Sequence, residues 1–195
     1  DHLDQQDKTG ELSEKAIQHL DTTSNRLETR EFVVINLAEL YGAKKQKQKI
    51  VPLYEDHLMP FLEKDPKPSE KFKQYASYLG NLCYQELKQI ECARKWFEET
   101  DGGGASDLEL QAVWALSEIT EKEQNAEKAL EVLQALNQRP ISQAWRIRLH
   151  YRQGLLLHQL QKWEEANRNF KLVGRIPSQN SNELDRIQEA SRQQQ

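Results

Sequence analysis

The sequence predicts an all-α fold, a right-handed solenoid of antiparallel helix pairs with N-terminal helices before it and a C-terminal capping helix after it. Three observations carry that expectation. A skeleton recurs every 37 residues: Cys92, Ala129 and Ala166 stand in register, as do Trp96, Leu133 and Phe170, and Gly80, Ser117 and Gly154. A fixed period in this range marks a stack of like units. Between these marks, apolar residues recur at helical spacing, and no segment alternates as a strand would. Finally, the chain has only eight Gly and six Pro, and most fall at boundaries: Pro66, Gly103, Pro140 and Pro177 repeat the interval.

In chain order, residues 1–24 form a polar segment with one short helix from Glu11 to about Leu20, through Leu12, Ala16, Ile17 and Leu20. Residues 25–68 form a divergent first pair. Its first helix runs from Leu27 to Tyr41, with Leu27, Val34, Leu37, Ala38 and Tyr41 on one side. The lysine-rich AKKQKQK run follows Gly42; it reads as a solvated turn or as an anion-binding patch. The second helix starts at Ile50 and points Ile50, Leu53, Tyr54, Leu58, Phe61 and Leu62 inward. Pro52 suits its first turn and Pro60 ends its regular part.

Residues 69–178 hold three repeats. Glu70–Leu87 pairs with Glu91–Thr100, Asp107–Glu121 with Ala126–Asn137, and Ser142–Leu160 with Trp163–Val173. Ser69, Ser106 and Ser142 are N-cap types at the three starts. DGGG at 101–104 reads as a flexible turn. Residues 179–195 give a capping helix through Leu184, Ile187 and Ala190, then a disordered SRQQQ tail.

Close approach of two helices requires small residues where they cross, which Gly80, Ser117 and Gly154 supply on one side and Cys92, Ala129 and Ala166 on the other. Large residues, Trp96, Leu133 and Phe170, then fill the wedge. Cys83 and Cys92 should face each other inside one hairpin; two reduced packing thiols are the favoured state, and a disulfide, which needs close Cα atoms and an oxidising compartment, is the alternative.

LG at 79–80, the Ala166-to-Phe170 spacing and the closing Pro140 and Pro177 resemble the tetratricopeptide repeat family. The resemblance covers Phe72 to Pro177. The chain departs from the family in its period, longer than the family's roughly 34 residues. It departs also at Ala76, Val113 and His150, where the family places a large residue. The resemblance implies that the first helix of each pair lines a concave groove. It projects Asn81 and Tyr84 from one repeat, Trp114 and Glu118 from the next, and Arg148, Tyr151, Arg152 and His158 from the third onto that surface.

Catalytic arrangements are lacking. His150 and His158 are eight apart on one helix, about 12 Å by helix rise, too far to share a metal. Two cysteines give no zinc spacing. GGG at 102–104 lacks the Lys and Ser/Thr of a phosphate loop. No metal, cofactor or enzymatic activity is expected. Net charge is −4, which speaks against nucleic-acid binding. No apolar run has the length of a membrane span, so no direct insertion is expected. The start DHLDQQDKTG fits either a removed leader or an excised domain.

The expected function is therefore a non-catalytic protein–protein interaction module. Its groove takes an extended or helical segment of a partner, with arginines on carboxylates and aromatics on side chains. The alternative is a self-associating scaffold subunit, a homodimer through terminal or convex surfaces.

Overall fold

The computed structural model describes residues 15, 17–18, 27–62, 68–176 and 182–194, and among them every regular element is helical and none is a strand. Pro66 and Pro177 lie outside the described residues. Of the predicted first helix only Lys15, Ile17 and Gln18 are described, and these three are helical. The chain divides into two compact units, Asp1–Thr100 and Asp101–Gln195.

In the first unit, α1 (Leu27–Ala43) buries Arg30, Val34, Leu37 and Ala38. A short 3-10 turn, Lys47–Lys49, leads into α2 (Ile50–His57), which buries Ile50, Val51, Leu53 and Tyr54. The helix stops before Pro60, and Met59–Phe61 continues as a 3-10 turn, as a proline that cannot donate requires. Phe61 is not inward as expected but 41% exposed, with the buried Arg30 guanidinium stacked 3.8 Å over its ring. In the lysine run, Lys47 pairs with Glu86 at 2.8 Å and Lys49 lies over the Tyr41 ring.

The next pair is α3 (Glu70–Asn81), a π-helical turn over Leu82–Leu87, and α4 (Ile90–Thr100). The Ser69 hydroxyl accepts from the Phe72 amide and caps α3. Here the structure corrects the predicted register. A Cβ on Gly80 would lie 2.8 Å from the ring of Phe97, and Ala93 is fully buried, while Cys92 is only half-buried. The crossing residues are thus Ala93 and Phe97, not Cys92 and Trp96. The reason is one extra residue in the hairpin, which the π turn absorbs.

The turns make this visible. In three hairpins the chain leaves the helix through a left-handed residue: Lys45, Gln124 and Gln161. In each, the next amide bonds back five residues: Gln46 to Tyr41 O, Asn125 to Thr120 O, and Lys162 to Leu157 O. That is the Schellman closure. Lys88 is left-handed too, but Gln89 reaches back six residues to Cys83 O.

The reduced thiols expected at Cys83 and Cys92 are also corrected: the two sulfurs are bonded to each other, across a Cα separation of 5.8 Å. Placing the cysteines on either side of one tight turn brings them within bonding range.

The second unit holds α5 (Asp107–Lys122), α6 (Ala126–Gln134), α7 (Gln143–Gln159), α8 (Trp163–Arg175) and α9 (Asn182–Gln193). Ser106 and Glu109 form a reciprocal capping box on α5, and Ser142 caps α7. A single apolar cluster joins Val113, Ala129, Leu133, Leu149, Ala166 and Phe170. The DGGG turn is pinned rather than flexible. Arg139 forks onto both Asp101 oxygens at 2.6 and 2.9 Å and donates to Gly104 O, while the Gly104 amide donates to Glu109.

The capping helix α9 buries Leu184, Gln188 and Ser191. Gln188 donates to the carbonyls of Val173 and Ile176, and Ser191 donates to Phe170 O. The carbonyls of Val173 and Ile176 lie at the end of α8 and need partners from outside it. The tail expected to be disordered is therefore helical as far as Gln193, because its polar side chains satisfy another helix's end.

Candidate functional site in the second unit

The repeat spacing puts Trp114 and Glu118 on one side of α5, and Arg148, Tyr151, Arg152 and Leu155 on one side of α7. In the structure these six residues converge on one cleft of about 260 Å³, closed by Glu183 and Ile187 of α9. Five of the eight residues projected from the sequence thus come together in the second unit.

The floor is aromatic and aliphatic. Trp114 meets the Trp145 ring edge-on at 6.1 Å, and Tyr151 tilts against the core Phe170 at 6.1 Å. Both rings are half-buried, so each packs against the core with one side and lines the cleft with another. Their polar ends are fixed: Trp114 Nε1 donates to Glu118 at 2.9 Å, and Trp145 Nε1 donates to Asp107 at 2.9 Å.

The arginines, expected to be free for a partner, already hold carboxylates. Arg148 donates through Nε and Nη2 to the two oxygens of Glu183, at 3.1 and 2.7 Å, and its guanidinium lies 5.4 Å over the Trp145 ring. Arg152 donates to Glu121. The bond to Glu183 raises the Arg148 pKa above the ordinary arginine value, and the same bond lowers that of Glu183. A planar fork matched to a carboxylate explains the pairing.

The remaining projected residues lie elsewhere. His158 is exposed and stacks edge-on with Trp163 at 4.6 Å, outside the cleft. Asn81 and Tyr84 belong to the first unit. Asn81 donates to Ser77 O and borders a separate cavity of about 480 Å³, lined among others by Ile35, Ile50, Tyr54, Tyr78 and Lys47. Tyr84 sits on the π turn with its ring edge-on to Phe97 at 6.5 Å.

Sequence reasoning missed Glu183, Ile187 and the first-unit cavity. The first two are set by how α9 docks, which the repeat pattern does not encode. A tyrosine cluster, Tyr54 with Tyr75 and Tyr78 at 5.5 and 5.6 Å, was the available signal for the third. Among the described residues no group of His, Cys, Asp or Glu could hold a metal ion, and no helix is long and apolar enough to cross a membrane. Comparison with protein-family models, with curated proteins and with solved structures finds no match to this chain.

Proposed function

We propose that this chain is a non-catalytic protein–protein interaction module of the tetratricopeptide-like kind. The second unit's cleft takes an extended or helical segment of a partner protein. The observation supporting this is the meeting of Trp114, Tyr151 and Leu155 with Arg148 and Arg152 in one cleft. Half-buried aromatic rings beside guanidinium forks are the residue types that dominate binding energy at protein interfaces.

The test is the double replacement Arg148→Ala with Arg152→Ala. Partners captured by the parent chain are identified by mass spectrometry, and their affinity is measured with each purified protein. The expected result is a loss of at least tenfold, about 1.4 kcal/mol. Both ion pairs are partly exposed, so the variant should lose only about 1 kcal/mol of stability per pair. An unchanged affinity for every partner would sink this reading.

One observation favours a second reading, a scaffold that self-associates. Phe32 of α1 is 69% exposed, a large apolar side chain on the surface of the first unit. Sedimentation of the purified chain separates the two: a dimer that Phe32→Asp dissociates supports the scaffold, and a monomer at all concentrations removes it.

A further inference from the structure

The cleft is closed by one edge of a helix of the same unit. Glu183 and Ile187 are four residues apart, so they stand one turn above the other on a single side of α9. Glu183 takes the Arg148 fork with both oxygens. Ile187 packs, with Tyr151, against the small cluster of Ile147, Val173 and Leu184.

The seat of α9 is thin. Leu184 is its one fully buried large apolar side chain. Its polar anchors, Gln188 and Ser191, bond to backbone carbonyls in the last turns of α8. A helix that displaces α9 has to offset these bonds, two of which are buried. The Arg148–Glu183 pair is half-open to solvent, with the Glu183 side chain 60% exposed. The parts the cleft reads are a carboxylate on a guanidinium and an aliphatic group one turn later.

We propose that the cleft recognises an acidic amphipathic helix of a partner protein, and that α9 occupies the cleft in its absence as a resident copy of that ligand. This rests on the interaction-module reading and names the partner's chemistry. The partner helix presents Asp or Glu to Arg148 and an aliphatic residue four positions on, in the place of Ile187. To bind, it displaces the edge of α9 and takes over both contacts. Charge complementarity at one point selects the acidic class: within the cleft Arg152 is held by Glu121 and Glu118 accepts from Trp114 Nε1, while the Arg148 fork is held by Glu183 of α9. A basic helix would leave Arg148 facing a like charge.

The probe is a fluorescein-labelled peptide of sequence NELDRIQEASRQ, followed by fluorescence anisotropy with the full chain. Leu184→Asp removes the apolar anchor of α9. The expected result is binding to the Leu184→Asp protein at least tenfold tighter than to the parent. Adding Arg148→Ala to that variant should abolish the gain, as should replacing the peptide's first Glu by Gln. Equal binding to parent and Leu184→Asp overturns the proposal, as does indifference to Arg148→Ala or binding no better than that of a scrambled peptide.

If Leu184→Asp fails to fold, amide hydrogen exchange on the parent decides the matter. Exchange in α9 at least tenfold faster than in α7 and α8 supports a displaceable helix. Equal protection makes α9 a permanent wall and overturns the proposal. A parent dimer that Leu184→Asp dissolves would assign the cleft to α9 of a second copy, and would likewise overturn it. The underlying module reading fails separately: natural partners indifferent to Arg148→Ala with Arg152→Ala sink that reading even where the peptide binds.

Discussion

A Cβ placed on Gly154 would lie 2.5 Å from the ring of Phe170. The ring cannot yield, because it is fully buried in the apolar cluster of the second unit. Gly154→Ala should therefore destabilise by roughly 1–3 kcal/mol through overpacking, against a helix-propensity gain of about 1 kcal/mol. Phe170→Ala should cost roughly 3–5 kcal/mol by leaving a cavity. In the Phe170→Ala background the Gly154→Ala penalty should vanish, since the atoms it strikes are gone. Denaturant melts of the four proteins measure this. Additive penalties would show that the two residues do not meet.

Arg139 organises the glycine-rich turn, reaching Asp101 twice and Gly104 O once with a side chain only 13% exposed. Arg139→Lys keeps the charge and loses the fork, so it should cost about 1–2 kcal/mol. Arg139→Ala removes the cation beside Asp101, which keeps the bond from the Gly103 amide, and should cost roughly 2–3 kcal/mol. An Arg139→Lys protein that melts like the parent would mean that charge alone, and not the fork, holds the turn.

The Glu31 carboxylate accepts from Lys71 at 2.7 Å and from the Tyr75 hydroxyl. The bond from Lys71 first, then the one from Tyr75, outweigh burial and hold its pKa below the ordinary value. A carboxylate depressed in the folded state stabilises fully above its unfolded pKa of about 4.3, and loses that contribution as pH falls through its folded value. Thermal melts over a series of pH values should show the first unit weakening in acid. Glu31→Gln should be less stable at neutral pH and flatter with pH below about 4.3. Parallel profiles for the two proteins would remove Glu31 from the account.

The Cys83–Cys92 bond predicts that unfolded, unreduced protein shows no free thiol. Closing so short a loop stabilises by roughly 2–3 kcal/mol, so reduction should lower the melting point of the first unit by a corresponding amount. Titration of two thiols per chain would show that the bond is not formed.

How far the sequence could be read follows from which forces act locally. Ser69, Ser106 and Ser142 were legible as caps because capping needs only the next three residues. Ala129, Ala166 and Phe170 were legible as core because the period fixes their face. The same counting failed at Cys92 and Trp96. A fixed interval cannot register one residue taken up inside a π turn, though Ala93 and Phe97 keep the same four-residue spacing as Ala166 and Phe170. The cleft was legible on its α5 and α7 walls and hidden on its α9 wall. Helical spacing sets which residues share a face, but the docking of a separate helix depends on long-range complementarity. Cys83 and Cys92 could be brought face to face from sequence; their bonding could not be fixed from spacing alone.

The four left-handed turn positions, Lys45, Lys88, Gln124 and Gln161, carry a consequence for engineering. None is glycine, and a side chain in that conformation costs about 1 kcal/mol or more at each site. The hairpins therefore hold an unused margin. Glycine at these positions would relieve local strain without touching either the crossing residues or the cleft. Against a total stability on the order of 5–15 kcal/mol for an ordinary domain, four such replacements amount to a hardened chain of the same architecture. Such a chain could better withstand the cavity-forming and charge-removing variants needed to map its contacts.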